Sequence, residues 1–450
     1  MFRLPKDTEI TLELLQEFLD EHKREVTNRH RKLQDAYESK HDILDLPAKA
    51  AYKPDNRIVV NFAKYIVDTF NGFFIGIPVK VVSEDKKVSE AVEFIDRYND
   101  QDDNNAELAK ILDIHGNGFE TYFTDEESEL GITYLSPLEA FMIYDDTIVE
   151  RPMFFVRRYT DRDSNEFGTI RSEYGDRDFK VTGGLRWLDE DWRPHYFGGV
   201  PATEFIENAE RQGLFEPVMT NINAYNKAIS EKANDVDYFA DAYLKVLGTA
   251  LDDEGIKHIR DNRIINFEGD GTDKIVVEFM GKPESDVAQE NLLNRLERLI
   301  FQNSMVANIS DENFGTSSGI ALKYKLLAMM NLFQSKKRKF ESGMNRRYRL
   351  LFSHPASRVP KDAWMQLEYQ FTPNLPANLM EEAQTAAQME GIVSHHTQLK
   401  MLSVVDNVEK ELEKIEEENK PAEETIVDQM MFGTVANNAT TETEVTGDEF

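Results

Sequence analysis

Apolar residues recur at three- and four-residue steps along much of this chain, interrupted by a central stretch where they alternate. From about Glu9 to Lys40 the pattern is helical, with Leu12, Leu15 and Leu19 on one face. Its second half, Glu21 to Lys32, is nearly all charged or polar, which predicts a solvated helix or one on the rim of an oligomer. Asn61 is placed to cap a helix carrying Tyr65, Ile66, Val67 and Phe70, and Gly72 falls where that helix is expected to stop. Ile77 to Val82 reads as a strand. Helices are predicted over Val88 to Tyr98 and Asn105 to His115, the second ended by Gly116.

From Phe119 to about Trp192 the period shifts toward two. Strands are expected at Glu120 to Phe123, Ile132 to Leu135, Phe141 to Tyr144, Met153 to Tyr159 and Thr169 to Tyr174. Turns rich in Asp, Gly and Ser separate them. A mainly antiparallel region set among helices makes the fold class α+β.

After Pro217 the helical period returns. Val218, Ile222, Tyr225, Ile229, Val236, Phe239 and Tyr243 mark a helix of about 25 residues, or about 38 Å. A short α/β interval follows, with strand-like Ile264 to Phe267 and Ile275 to Phe279. A second helix spans about Ser285 to Asn303, its seam formed by Val287, Leu292, Leu296, Leu299 and Ile300. The stretch Ala307 to Ser318 is mostly small or polar, and loops of that length inside compact domains commonly carry function. Ser317 or Ser318 can cap the next helix, Gly319 to Phe352, whose buried stripe is Leu326, Met330, Phe333, Phe340, Met344 and Leu351. Trp364 to Phe371 reads as a strand, and Asn378 to His395 and Thr397 to Glu418 as helices. From Pro421 the composition is that of a disordered tail.

Composition narrows the functions available. The chain has 450 residues, enough for two or three packed units, and a formal charge of −31. So acidic a surface repels nucleic acid, which argues against a repressor, polymerase or substrate-gripping nuclease. It is compatible with a protein that DNA slides past. The absence of cysteine rules out disulfides, thiolate zinc sites and cysteine nucleophiles. Neither a signal peptide nor a membrane-length apolar stretch is visible, so no membrane partner is expected.

No catalytic or metal site and no cofactor is expected. The P-loop spacing is missing, and Gly269-Asp-Gly-Thr-Asp-Lys suits a hairpin turn. Asp161-Arg-Asp-Ser-Asn opens like a calcium loop, but Glu166 replaces the required glycine and Ser172 the closing glutamate, leaving an acidic turn. His395 and His396 are adjacent and diverge by about 100° on a helix, a poor metal pair. The charge pattern says more. Between Gly319 and Phe352 stand Lys323, Lys325, Lys336, Lys337, Arg338, Lys339, Arg346, Arg347 and Arg349 against the single acid Glu341. Such a basic helix serves either as a solvated or ion-paired face or as a weak contact for phosphates.

Several stretches in order resemble the portal proteins of siphophages that infect Gram-positive bacteria. They are Asn56 to Val82, Leu135 to Asp145, Val200 to Phe205, Asn221 to Gly248, Leu292 to Phe352 and Phe371 to Pro376. The resemblance covers about residues 50 to 400, with Ser310 to Lys323 inside its strongest part. It implies a ring subunit, usually one of twelve, around a tunnel for double-stranded DNA at a capsid vertex. On that reading residues 1–216 form an N-terminal helix and α/β wing, 217–243 and 285–306 two stem helices, and 244–284 a clip. Residues 307–318 become a tunnel loop, with Asp311, Glu312, Asn313, Phe314, Gly315, Thr316 and Ser317 at its centre. Residues 319–375 become a spine helix and returning wing strand, 376–418 a helical crown, and 419–450 an acidic tail. Lys336, Lys337, Arg338, Lys339, Arg346 and Arg347 are candidates to face the DNA. The implied partners are the terminase large subunit, major capsid and scaffolding proteins, and a head-completion or adaptor protein. The rival readings are a minor head or adaptor protein and, more distantly, a metal-dependent nuclease.

Overall fold

Helices and antiparallel sheets share the chain in the α+β arrangement that the alternating periods predict. The computed structural model describes residues 2–50, 53–240, 244–247, 276–279, 286–310, 324–375, 379–402, 404–405 and 408–418. They belong to two compact units divided after Asn374.

Unit one begins with β1 (Phe2–Leu4) and α1 (Leu12–Glu25), whose Thr11 hydroxyl accepts from Leu14 N–H at 3.3 Å. A π-helical turn, Val26–His30, joins α1 to α2 (Arg31–Tyr37). The polar half of this helix is less solvated than its sequence suggests. His22 and His30 are buried, and Arg29 chelates Glu216 at 2.7 and 2.8 Å.

Helix α3 (Phe62–Ile75) starts where the Asn61 side chain accepts from Lys64 N–H at 2.9 Å. It runs through Gly72 and ends at Gly76, because Phe73, Phe74 and Ile75 bury apolar surface that rewards one more turn. After β2 (Lys80–Val82), Asp85 caps α4 (Lys86–Tyr98), and α5 (Gln101–His115) follows. Gly116 closes α5 at φ 84°, where a Cβ would meet the Arg211 carbonyl oxygen at 2.0 Å. Only glycine fits that turn.

Two sheets form the middle of the unit. Strands β3 (Asn117–Thr124), β4 (Leu130–Leu135) and β10 (Ala202–Ile206) pair antiparallel in the order β10-β3-β4. The larger sheet has β5 (Ala140–Asp145), β6 (Pro152–Thr160), β7 (Glu166–Arg171), β8 (Asp176–Lys180) and β9 (Arg186–Trp187) in sequence, with β1 added parallel to β5. Strand β7 lies three residues earlier than the expected Thr169 to Tyr174, because Ser172 to Gly175 turn the chain into β8. The turn at Asp161 is an Asx turn: its Oδ1 accepts from the backbone N–H groups of Asp163 and Asn165 at 2.9 and 2.8 Å.

The C-terminal half of this unit holds the long helices. They are α6 (Met219–Ala240), α7 (Asp286–Ser304) and α8 (Leu327–Ser353), with β11 (Leu244–Leu247) paired to β12 (Val276–Phe279) between the first two. The expected strand at Ile264 to Phe267 lies outside the described residues. Trp364 to Phe371 splits into a 3₁₀ turn at Ala363–Gln366 and a short strand, β13 (Glu368–Gln370), on β2. Helices α3, α5 and α8 share the main core, in which Phe74 meets Phe333 at 5.5 Å and Phe340 at 5.7 Å.

Unit two contains α9 (Leu379–Gln388), α10 (His395–Lys400) and a helical stretch at 408–418. The two long helices expected there are therefore shorter pieces. Ser394 caps α10 with its hydroxyl, close to the boundary expected between the two helices.

Candidate functional site

The expected loop residues Asp311, Glu312, Asn313, Phe314, Gly315, Thr316 and Ser317 lie outside the described residues, as does the proposed cap at Ser317 or Ser318. The segment entering that loop is well anchored. Met305 takes a positive φ of 61° to turn the chain off α7. Asn308 then donates to Glu297 at 3.1 Å, and Ile309 N–H donates to the Tyr65 hydroxyl at 2.9 Å. Tyr65 itself packs on Phe301 of α7, with ring centroids 5.6 Å apart. The loop thus leaves from a point fixed to α3 and α7 together.

Helix α8 carries the basic residues, and the fold sorts them into two groups. Lys336 is fully buried, 2.5 Å from Asp113 Oδ1 and 3.1 Å from Glu207 Oε2. Arg347 is also fully buried. It forks onto Glu120 at 2.8 and 2.6 Å and donates to Asn105 Oδ1 at 2.6 Å. Neither side chain can touch a duplex in the protomer as folded, so these two leave the set of DNA-facing candidates. Half-buried Arg346 donates to the carbonyls of Ala202 and Val200 at 3.3 and 3.4 Å. Lys337 reaches Glu341 at 3.7 Å and lies over the Phe371 ring. Lys339 is half-buried, while Arg338 and Arg349 are exposed. Eleven residues separate those two arginines, close to three full turns, so they share the outer face of α8 about 16 Å apart.

What holds α8 in place is aromatic and ionic together. Phe333, Phe340, Met344, Tyr348 and Leu351 are all buried. Gly343 lets Phe205 lie against the helix; a Cβ there would sit 2.4 Å from the ring. Around Arg347, Glu120 also accepts from Tyr122 at 3.1 Å and Gln101 at 3.3 Å. At the next residue, the Tyr348 hydroxyl donates to Asp96 at 2.9 Å, and burial pushes the Asp96 carboxyl up to about 6.

Helix α6 presents a polar stripe to the interior. Asn226, Ser230 and Asn234, spaced by four residues, are buried. Their side-chain oxygens accept from the backbone N–H groups of Val60, Ile58 and Asn56 at 2.9, 2.9 and 2.6 Å. The extended strap at 56–60 is therefore laced to α6 as if the helix were a neighbouring strand. Lys49 adds an ion pair to Glu231 at 2.8 Å. Sequence periodicity missed this stripe because it tracks apolar residues, and the stripe is polar. The four-residue spacing of small amide and hydroxyl side chains is the signal that was available.

Helix α7 divides its apolar residues between two faces. Leu293 and Ile300 are buried against the body of the unit. Val287 is 70% exposed and Leu292 51% exposed, with Leu296 and Leu299 partly exposed. The seam expected from sequence thus divides: Val287 and Leu292 are exposed, Leu296 and Leu299 lie at the boundary, and Ile300 is buried. On the inner side, Gln289 donates to Asp235 of α6 at 2.8 Å, and Lys232 pairs with Glu290.

Among the described residues, no group of three His, Cys, Asp or Glu side chains is arranged to hold a metal. His395 meets Gln398 and His396 approaches Glu409 at 3.9 Å, so the histidine pair diverges as expected. No helix among the described residues is long and apolar enough to cross a membrane.

A family model described as phage portal protein, SPP1 Gp6-like, matches residues 16–425. The chain belongs to that portal protein family. The portal protein of Clostridium phage phiCD119 is 25% identical over 232 residues, and that match spans half of each chain. A chain in the neck of an empty GTA particle, computed with C6 symmetry, is similar at 12% identity and a TM-score of 0.46. That likeness covers 75% of this portal-family chain and 88% of the other. In family terms, the helix–sheet–helix run from α6 to α7 and the long α8 fall wholly within the matched residues.

Proposed function

We propose that this portal-family chain assembles as a closed ring of about twelve copies at one capsid vertex, and that double-stranded DNA enters and leaves through its centre. The observation that carries the reading is the family match from residue 16 to 425, spanning nearly all of the described fold. Residues 1–216 act as the outer wing, α6 and α7 as the stem, and β11 with β12 as part of the clip. Residues 307–318 act as the tunnel loop, α8 as the spine, and 376–418 as the crown. The chain is structural; ATP hydrolysis belongs to the terminase large subunit that docks on the ring during filling. A head-completion or adaptor protein later takes the clip, and capsid and scaffolding proteins surround the wing. The ring assembles in the host cytoplasm and ends in the virion.

Physical chemistry supports this assignment at two points. A formal charge of −31 keeps the tunnel wall from gripping phosphates, while Arg338 and Arg349 on one exposed face of α8 supply weak, sequence-independent attraction. The exposed Val287 and Leu292 of α7 are also apolar surface of the kind that a heterologous ring contact buries. Deleting 311–317 tests the loop's role: ring assembly persists and packaging in infected cells falls sharply. Unchanged packaging would contradict the tunnel-loop assignment.

A further inference from the structure

The cluster around Lys336 is unbalanced in charge. Two carboxylates, Asp113 and Glu207, face a single ammonium group, and all three side chains are at most 1% exposed. Lys336 Nζ is directed to Asp113 Oδ1 and the Ala109 carbonyl, at 2.5 and 3.1 Å. It lies 3.1 Å from Glu207 Oε2 but outside hydrogen-bonding geometry there. Asp113 Oδ2 and both Glu207 oxygens receive no N–H or O–H from the described residues. Two ionised carboxylates this close, in a site without water's dielectric, repel strongly unless one keeps its proton.

Among the described residues, the surroundings do not supply a second positive charge. Helix α3 contributes the rings of Phe70 and Phe74, 5.3 and 4.8 Å from Lys336 Nζ. Helix α5 contributes Asp113 in its last turn, where the carbonyl end of the helix adds negative potential. The segment after β10 contributes Glu207, its N–H bonded to the Gly116 carbonyl at 2.9 Å, and the next loop places Leu214 N–H on the Asp113 carbonyl at 2.8 Å. Helix α8 contributes only Lys336. His115, two residues from Asp113, hydrogen-bonds Gln34 at 3.1 Å and packs on His30. Arg29 is held by Glu216. Burial raises both carboxyl groups above the usual range, Asp113 strongly, with Lys336 opposing the shift in each.

We infer that Asp113 and Glu207 hold one proton between them, forming with Lys336 a proton-dependent latch that fastens α8 to α5 and the segment after β10. With the proton in place, a carboxylic acid O–H donates to the neighbouring carboxylate and the cluster is neutral. Once it is lost, a net negative charge is left in the core where α8 meets the wing. The sign is fixed: a carboxyl raised in the folded state makes stability fall as pH climbs from the ordinary carboxylate range to the folded value.

Two measurements on the full-length chain test this. Infrared difference spectra at neutral pH are expected to show a protonated-carboxyl carbonyl band in the wild type that is lost in both Asp113→Asn and Glu207→Gln. No such band would mean that both carboxylates are ionised, and would overturn the inference. Unfolding is then followed at fixed protein concentration from about pH 6 to about pH 9. The wild-type unfolding constant is expected to rise relative to that of Asp113→Asn, by up to about tenfold per pH unit. If Asp113→Asn fails to fold, Glu207→Gln takes its place in the comparison. Parallel pH profiles would overturn the latch even with the band present.

Discussion

Helices α7 and α8 are neighbours in the chain, yet they are finished to different degrees. Beyond Leu327 at its start, which is 53% exposed, helix α8 covers its large apolar side chains inside the protomer and shows solvent a polar face. Its aromatic stripe meets α3 and β10, and Lys336 and Arg347 meet carboxylates in the interior. Helix α7 buries Leu293 and Ile300 but leaves Val287 and Leu292 largely in solvent. The difference teaches where the protomer ends as a stable object. A helix whose apolar stripe is covered belongs to the subunit's own core; the apolar side chains that α7 leaves exposed are, on the proposed ring, surface for a neighbouring copy.

Mutation can break this contrast. The largest effect is expected from Arg347→Ala, which strands the buried Glu120 carboxylate and costs about 3–5 kcal/mol of stability by denaturant titration. A cost near that of a surface substitution would mean the ion pair does not hold α8. Acid comes next. Burial lowers His22 from 6.5 to about 4 while it hydrogen-bonds the Pro137 carbonyl at 2.8 Å. Its contribution is complete above about pH 6.5 and is lost as pH falls toward 4, by up to about 3 kcal/mol. His22→Gln should flatten that part of the acid-unfolding curve, and an unchanged curve would remove His22 from the account.

Smaller effects sharpen the picture. Asn226→Ala and Ser230→Ala each leave a strap N–H without its acceptor, at about 1–2 kcal/mol apiece by thermal unfolding. Amide exchange at Ile58 and Val60 should speed up in the same variants. The smallest change in protomer stability, within about 0.5 kcal/mol, belongs to Leu292→Ser, because that side chain is already half in water. Its expected effect is on assembly, read as loss of rings by native mass spectrometry. If Leu292→Ser destabilises the protomer as much as Leu293→Ser, the two faces of α7 have been misassigned.

Local rules were the legible part of this sequence. The Asn61 cap, the Gly116 stop and the apolar stripe of α8 depend on neighbours a few residues away, and each is where spacing puts it. Gly72 was misleading because a terminator signal is weak against three buried residues just beyond it. The basic run on α8 hid its own division. Lys336 and Arg347 look like their exposed neighbours until Asp113 and Glu120, more than two hundred positions earlier, are folded against them. A separation of 166 to 178 positions concealed the strap on α6 in the same way, and the seam of α7 was legible as apolar without showing which side it faced. Sequence spacing fixes a stripe's period; only tertiary packing gives its direction.

The account stands most directly on whether copies of this chain close into a ring. Electron microscopy of the purified full-length protein, with mass measured in parallel, decides it. The expected result is a ring of about twelve subunits with a central channel. A monodisperse monomer under every assembly condition would contradict the account.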